Sequence, residues 1–503
     1  MGSTVRTNSG KVHGKESDGV LKWLGIPFGK PPVGELRYRR AQPADPWDGT
    51  LECDHFGNAP FQFAGGGMAE LNVQWCEPSE DCLYLNVWAP ENTTPSDRRP
   101  VFVWIYGGAN HMGESSDPQY DMSLFAKDGV VGISFNYRLG PLGFYDFSNM
   151  SDRFDSNNAV SDMLVALQWV QDNIANFGGD PDNVTICGES AGGQMVYAAL
   201  ICPACKGLFT RAIAMSGLAG NITDHILHDL GTSIFLEELG LDESNIDDLA
   251  DMPIEKITPA AQTMFVQNDI RHPGIFFPGP TLDGDLIPDY VWKCLDNGSA
   301  KGKSVIIGTC HDEGNLFTAT KSVPSTWEGI EKMFSENGYA EKIPLMKKLY
   351  GGKPEIASAS EIMRDRMFWV DAVRCALAQC GKGDTYMYRF DYVPTTAAML
   401  KLNATHSMDL SPTFGYFPDD KNSFWYGTPT TAEKRLTSYL HGSFVNFCKN
   451  GDPNGNPSTG IPVKWPKYDK YGRQTMLVDI ECSVVKNPNR ELFDAWEDIS
   501  LYM

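Results

Sequence analysis

The chain has few basic residues and no long apolar run. Its 503 residues include 42 lysines and arginines against 64 aspartates and glutamates, which gives a net charge of −22. This charge repels phosphate backbones and anionic lipid surfaces, so nucleic acid is not expected as a partner. No window approaches 18 consecutive apolar residues, and the start, Met1–Arg6, lacks the apolar core of a signal peptide. We therefore expect no membrane span and a cytoplasmic location.

Cysteine is sparse as well. Twelve cysteines with irregular spacing are too few for a disulfide scaffold, which favours a reducing compartment. Cys202 and Cys205 form a C-x-x-C pattern, but a helical segment precedes them instead of a thioredoxin-like unit, so we assign them no redox or metal role. Hydrophobic residues make up 42% of the chain, which excludes a disordered protein.

Short β-branched and aromatic segments alternate with helical patterns. The clearest helix is predicted over Ser161–Phe177, where apolar residues recur every three or four positions. The predicted strands are Val101–Tyr106, Val130–Asn136, Asn183–Cys187, Arg211–Met215, Ser304–Thr309, Thr385–Phe390 and Gln474–Val478. This alternation predicts right-handed crossovers and a large, mostly parallel α/β sheet with helices on both faces.

The regions outside this alternation have their own character. The first hundred residues are predicted to form edge strands and loops, while Asn221–Asp285 and Trp327–Gln379 are helical in pattern and would be insertions over one end of the sheet. No linker or internal repeat marks a boundary. We therefore expect residues 1–503 to form a single expanded domain.

The sharpest chemical signal is Gly188–Gly193, which fits G-x-S-x-G around Ser190. A predicted strand, Asn183–Cys187, precedes it, and a predicted helix, Gln194–Leu200, follows it. This is the setting of a nucleophile elbow, in which the serine occupies a strained strand-to-helix turn. The alternative is an ordinary Gly/Ser turn, which the two flanking elements disfavour.

A serine nucleophile needs a base, an acid to orient that base, and donors for the oxyanion. In the α/β-hydrolase order an acid and then a histidine follow the serine, each in a loop after a strand. Asp312 and Glu313 both satisfy the spacing for the acid. Two histidines follow them. His441 lies in an apolar helical pattern and is expected to be a packed or a surface helix histidine, whereas His406 lies in a polar loop and is the better base.

A glycine-rich segment follows the predicted strand Val101–Tyr106. Gly107–Asn110 there is the expected source of oxyanion donors, although a plain turn is its simpler interpretation.

These and other motifs resemble the type-B carboxylesterase/lipase family through most of the chain. The matching segments are Gly25–Phe28, Pro31–Gly34 with Arg37, Ser79–Asn86, Asn136–Gly140, Phe177–Pro181, the elbow and Asp312–Gly314. The resemblance implies an α/β-hydrolase fold with helical insertions over the active site. It also implies Ser190 as nucleophile, Glu313 instead of Asp312 as the orienting acid, and His406 as base.

The resemblance implies further roles. Oxyanion donors are expected at Gly108, Ala109 and Ala191, and Phe276 is expected to line the acyl pocket. Two buried ion pairs are also implied, Arg37 with Glu80 and Arg138 with Asp162, which would fasten loops.

The chain departs from the family pattern at three places. Ala109 stands where a third glycine is common, although alanine disfavours positive φ. Asn110 replaces a common aromatic and would widen or polarise the substrate pocket. Cys82 has no upstream cysteine at the aligned position Gly57–Pro60; Cys53 or Cys76 could substitute as its partner, but a reduced Cys82 is the simpler expectation.

The combined expectation is a serine carboxylesterase acting on a small-molecule ester, as a monomer or weak homo-oligomer. It needs no cofactor or metal; His225 and His228 lack a third ligand and are expected on a solvated helix face. Its kcat/KM should rise with pH near about 6.5, the usual pKa of histidine. The alternatives are a lipase acting on longer acylglycerols and a non-catalytic binding protein of the same family.

Overall fold

The computed structural model describes residues 3–417, 429–455 and 460–502. The strands are β1 (Thr4–Arg6), β2 (Lys11–His13), β3 (Lys15–Ser17), β4 (Val20–Pro27), β5 (Thr50–Glu52), β6 (Tyr84–Pro90), β7 (Arg99–Ile105), β8 (Val131–Phe135), β9 (Gly179–Glu189), β10 (Arg211–Met215), β11 (Ser304–Cys310), β12 (Thr385–Phe390), β13 (Gln474–Val478) and β14 (Ser483–Lys486).

The helices alternate with these strands and also form long insertions. They are α1 (Gly66–Ala69), α2 (Ser123–Lys127), α3 (Gly140–Gly143), α4 (Asn158–Asn173), α5 (Ala191–Ile201), α6 (His225–Leu239), α7 (Ile254–Arg271), α8 (Val291–Asp296), α9 (Gly314–Ala319), α10 (Trp327–Glu336), α11 (Ile343–Tyr350), α12 (Glu355–Arg364), α13 (Val370–Gln379), α14 (Thr395–Met399), α15 (Leu410–Phe414), α16 (Thr431–Asn450) and α17 (Arg490–Trp496).

Within the described residues, eleven strands form one sheet in the order β14-β13-β12-β11-β10-β9-β7-β8-β6-β4-β3. The pairs from β8 across to β13 are parallel, and antiparallel strands flank them at both edges. Parallel strands are buried on both faces, which explains why all five residues of β8 are buried and only Ser134 among them is polar. The predicted mostly parallel sheet with surrounding helices is confirmed.

The predicted strands all occur, with small differences at their ends. The predicted helix Ser161–Phe177 begins three residues earlier, at Asn158, and its last turn, Ile174–Phe177, is a 3₁₀ helix. The two insertions are helical as expected, and Asp365–Trp369 adds a π-helical turn between α12 and α13.

One prediction about the insertions was wrong. His225 is partly exposed, but His228 is fully buried and its Nε2 donates to the carbonyl of Phe144 at 2.8 Å. Periodicity placed both residues on a helix without revealing which side of α6 faces the core. In the described part of the chain, no group of three or more His, Cys, Asp or Glu side chains could hold a metal ion.

None of the helices in the described ranges is long and apolar enough to cross a membrane.

The sheet brings the candidate site residues to one edge. Gly107–Asn110 follows β7, Ser190 follows β9, Glu313 follows β11 and His406 lies in the connection after β12. Since these four strands belong to the parallel part of the sheet, their carboxyl ends meet at the same edge, where such sheets form their binding crevices.

Both implied ion pairs are present. Arg37 donates to the Glu80 carboxylate, and Arg138 Nη2 lies 2.6 Å from Asp162 Oδ1. The second pair is fully enclosed, with side-chain exposures of 2% and 0%, and Arg138 Nη1 also donates to the carbonyl of Arg39 at 2.8 Å. Asp162 on α4 therefore neutralises a cation that ties α4 to the loop around Arg39.

Asp162→Asn should destabilise the fold strongly. The substitution keeps the side-chain volume but leaves the Arg138 charge buried without a counter-ion, which costs about 3–5 kcal/mol. The free energy of unfolding from urea titration measures the loss. The matched control is Asp494→Asn, which breaks an exposed pair with Arg490 (74% and 49% exposed) and should change stability by less than about 0.5 kcal/mol. Equal effects of the two variants would contradict the assigned role of the buried pair.

Candidate active site

Ser190 occupies a strained backbone conformation at the turn from β9 into α5. Its φ of 59° and ψ of −123° lie in a region that non-glycine residues rarely adopt. Such a conformation costs about 1–3 kcal/mol and persists only when its surroundings hold it. Here the Ser190 N–H donates to the carbonyl of Met215 on β10, and the Ser190 carbonyl accepts from Gln194 N–H, both at 2.9 Å.

Close packing around the turn requires glycine. A Cβ on Gly192 would lie 2.0 Å from the carbonyl oxygen of Ile105, so α5 rests directly on the end of β7. A Cβ on Gly107 would lie 2.9 Å from Ser190 Cβ. The glycine-rich loop after β7 is therefore in contact with Ser190.

The loop after β7 turns through three consecutive residues of positive φ. Gly108 (116°), Ala109 (56°) and Asn110 (60°) share this conformation, and only glycine fits at 108 because a Cβ would lie 2.2 Å from the Met112 carbonyl oxygen. Among residues 3–417, 429–455 and 460–502, the N–H groups of Gly108, Ala109 and Ala191 have no hydrogen-bond acceptor. Ala191 is the first residue of α5, where backbone N–H groups lack intrahelical partners and the helix dipole favours negative charge.

Glu313 and His406 are joined by a short hydrogen bond. His406 Nδ1 lies 2.5 Å from Glu313 Oε2, and both side chains are buried. Glu313 also accepts from Ser216 Oγ at 2.5 Å and from Cys310 N–H at 2.6 Å. These donors orient the carboxylate, so it can hold the imidazole with Nδ1 protonated and Nε2 free.

The alternatives that spacing left open lie elsewhere. Asp312 faces His311, with 3.0 Å between Oδ2 and Nδ1, and it does not contact His406. His441 packs within α16, where its Nδ1 donates to the Thr413 carbonyl at 2.9 Å and its Nε2 lies 2.8 Å from Asp128 Oδ2. Both nitrogens of His441 are therefore engaged by the structure.

Ser190 and His406 line one cavity of about 190 Å³. Its wall also contains Gly107, Gly108 and Ala109, together with Met68, Leu71, Asn72, Val73, Met112, Gly113, Glu114, Asp117, Gln119, Tyr120, Glu189, Leu316, Phe317, Ser407 and Leu410. Three of these residues are acidic and none is Lys or Arg. The cavity is thus small, lined by polar and apolar groups in similar measure, and without a lysine or arginine among its lining residues.

Glu189 is a site residue that sequence reasoning missed. Its Oε1 lies 3.2 Å from His406 Nε2 and accepts from Ser407 Oγ at 2.7 Å. Burial raises the pKa of Glu189. The motif G-x-S-x-G leaves this position undefined, and the only available signal was an acidic residue in an otherwise buried strand end.

Two carboxylates, those of Glu189 and Glu313, lie beside the His406 ring and affect its pKa. Burial alone would lower the pKa of His406, but the charges of Glu189 and Glu313 outweigh burial and raise that pKa above its usual value. His406 Nε2 lies at ion-pair distance from Glu189 Oε1, but among the described residues it has no partner with hydrogen-bond geometry. The His406 side chain lines the cavity beside Glu189.

Phe276 and Asn110 lie behind the cavity wall. The Phe276 ring contacts the ring of Phe317 with centroids 5.4 Å apart, and Phe317 in turn lies 5.0 Å from the His406 ring. The amide of Asn110 donates to Gln194 Oε1 at 2.7 Å and to the Pro278 carbonyl at 2.9 Å. Neither residue lines the cavity directly, and their pocket roles stay predictions.

The chain is similar in sequence and in architecture to known esterases. A family model described as the carboxylesterase family matches residues 2–496. The chain is 37% identical to a para-nitrobenzyl esterase of Bacillus subtilis, covering 97% of each protein, and 32% identical to mouse carboxylesterase 1D, covering 93% of this chain and 88% of the relative. A solved PNB esterase structure superposes with a TM-score of 0.85 at 34% identity, over 98% of this chain and 99% of that one.

The family model covers residues 2–496, which include every strand, helix and loop that contributes a residue to the site described above. The chain belongs to the carboxylesterase family and is a carboxylic ester hydrolase with the α/β-hydrolase fold.

Proposed function

We propose that the protein is a serine carboxylesterase that works through a Ser190-His406-Glu313 triad and an acyl-enzyme intermediate. The observation that carries the proposal is the hydrogen bond between Glu313 and His406 in the cavity that Ser190 also lines. Ser190 and Glu313 follow the ends of β9 and β11, and His406 lies in the connection that follows β12 and α14.

In the first half of the reaction, His406 Nε2 takes the proton of Ser190 Oγ as that oxygen attacks the ester carbonyl carbon. The N–H groups of Gly108, Ala109 and Ala191 donate to the oxyanion of the tetrahedral intermediate. The bond from carbon to the alkoxy oxygen then breaks, and the imidazolium of His406 protonates the departing alcohol.

In the second half, water attacks the acyl-enzyme while His406 takes one of its protons. The bond to Ser190 Oγ breaks, the serine regains its proton from His406, and the carboxylic acid leaves. Glu313 holds the imidazole in the required tautomer throughout and stabilises its charged form. Each step uses a side chain, a backbone N–H group or water.

The size and charge of the cavity favour small neutral esters. Pockets for drug-sized ligands span about 300–1,000 Å³, and this cavity holds about 190 Å³. Glu114, Asp117 and Glu189 line it and no lysine or arginine does, which disfavours anionic substrates. We propose that Phe276 supports the acyl side of this pocket through Phe317.

Ser190→Ala should abolish turnover of a short-chain p-nitrophenyl ester, because no other group in the proposed mechanism can form the acyl-enzyme. The expected loss in kcat is at least about 10⁴-fold, in line with removal of a serine nucleophile in other hydrolases. Stopped-flow and steady-state assays would measure it. Ser358→Ala is the matched control, since Ser358 is a buried serine outside the cavity that donates to the Tyr350 carbonyl. Undiminished turnover by Ser190→Ala would contradict the proposal.

The pH at which kcat/KM reaches half of its maximum should lie above the usual pKa of a histidine side chain. His406 must be neutral to act as base, and the nearby carboxylates raise its pKa, so the protonated, inactive form persists to higher pH. We expect kcat/KM to rise with pH through a midpoint above about 6.5. Glu189→Gln removes one of the two charges and should move the midpoint to lower pH.

The control for the pH experiment is Asp128→Asn. Asp128 also pairs with a histidine, His441, but neither residue lines the cavity. Its removal should leave the midpoint unchanged. A wild-type midpoint at or below 6.5, or no shift in Glu189→Gln, would show that this carboxylate does not act on the base.

Acyl-chain length separates an esterase from a lipase. Because the cavity is small, kcat/KM should be highest for soluble acetyl and butyryl esters and fall by more than about tenfold for palmitoyl esters, each lost tenfold being about 1.4 kcal/mol. Rates on p-nitrophenyl esters of increasing length, below and above the micellar threshold, measure this. Activation by micelles of a long-chain ester would favour the lipase instead.

A further inference from the structure

The oxyanion donors come from two separate chain segments. Gly108 and Ala109 lie in the loop after β7, whereas Ala191 opens α5. The ladder between β7 and β9 ends at Ile105 and Gly188, before either group of donors. Three N–H groups that must converge on one oxygen therefore depend on contacts beyond the sheet.

Asn110 provides such a contact. Its Nδ2 donates to Oε1 of Gln194, which lies one turn into α5 and whose own N–H donates to the Ser190 carbonyl. Nδ2 also donates to the carbonyl of Pro278. A carbonyl oxygen can only accept, so the contact with Pro278 fixes the amide orientation and makes the contact with Gln194 a donated hydrogen bond.

The same connection continues towards the acyl side of the site. Gln194 Nε2 donates to the Asn221 carbonyl at 2.9 Å, and Asn221 Nδ2 donates to the carbonyl of Phe276. Asn110, Gln194 and Asn221 are all buried, with Asn110 only 2% exposed. Buried amides in a continuous network of this kind hold their partners in a defined geometry.

The backbone of Asn110 explains why the loop needs this support. Ala109 and Asn110 both have positive φ, which alanine disfavours and asparagine tolerates. The Asn110 carbonyl also accepts from Gly140 N–H at 2.7 Å, so both its backbone and its side chain are held. The residue after the strained Ala109 is thus anchored on two sides.

We propose that Asn110 is a positioning residue of this esterase: its amide, bonded to Gln194 on α5, holds the Gly108 and Ala109 N–H groups in register with that of Ala191. The proposal rests on the proposed function, since it assigns Asn110 a task at the oxyanion of that reaction. According to this proposal, asparagine at position 110, where an aromatic residue is common, affects kcat as well as the shape of the pocket.

The test compares Asn110→Gly, Gln194→Met and the double variant. Glycine keeps the positive φ accessible but removes the amide, and methionine keeps the length of Gln194 but removes the acceptor. Each single variant should lower kcat by about tenfold to a hundredfold through misplaced donors, with KM changed by less than about threefold. The double variant should lose less than the product of the two single losses, because both single variants break the hydrogen bond between Asn110 and Gln194. Each single variant also breaks one further bond, to Pro278 or to Asn221.

A second readout reports on the oxyanion hole itself. A short aliphatic trifluoromethyl ketone adds Ser190 Oγ to its carbonyl carbon and places the resulting oxyanion among the three N–H groups. In each variant the inhibition constant of this ketone should increase by the same factor by which kcat decreases. If Asn110 and Gln194 only stabilised the fold, the variants would have a lower melting temperature, but the inhibition constant and kcat would not change by the same factor.

The matched control is Asn157→Gly. Asn157 is also buried with positive φ (55°), and its Nδ2 donates to the Thr281 carbonyl at 2.8 Å, but it does not line the cavity. This variant should lose stability while kcat stays within twofold. A kcat within twofold of wild type for Asn110→Gly, or for Gln194→Met should the first variant not fold, overturns the proposal. If Ser190→Ala is inactive in the same assay, that outcome leaves the proposed function standing; an active Ser190→Ala rejects the proposed function itself.

Discussion

The close approach of α5 to the end of β7 determines the geometry of the whole site. Gly192 lies against the carbonyl of Ile105 at a distance that excludes any side chain, two residues beyond Ser190 with its positive φ. The loop that leaves β7 contacts Ser190 through Gly107. The proposed nucleophile and oxyanion donors therefore meet where one helix packs directly on one strand end.

The charges around His406 are the second feature that shapes the site. His406 is buried between Glu189 and Glu313, and the two carboxylates outweigh the effect of burial on its charge. In the proposed mechanism the imidazole becomes positively charged in the transition state, and an acidic environment would stabilise that charge. The same carboxylates keep His406 protonated to higher pH, so they would also limit the proposed activity in acid.

The buried amides of Asn110, Gln194 and Asn221 connect the loop after β7, helix α5 and the carbonyl of Phe276 by side-chain hydrogen bonds. In the proposed mechanism this connection would link the acyl side of the cavity to the oxyanion donors. The departures of this chain from its family's pattern, Ala109 and Asn110, lie at one end of this connection.

The sequence by itself determined the sheet, the nucleophile turn and the order of the partners, because these depend on local periodicity and on short motifs with steric requirements. It could not separate Asp312 from Glu313 by spacing, since adjacent residues differ only in the direction that the loop after β11 gives each side chain. It also missed Glu189 and misplaced His228, because a linear pattern does not show which side of a strand end or helix becomes buried. Only the tertiary structure decided the charge around His406 and the partners of Asn110, since both arise from contacts between residues far apart in the chain, and those contacts exist only once the strands have paired.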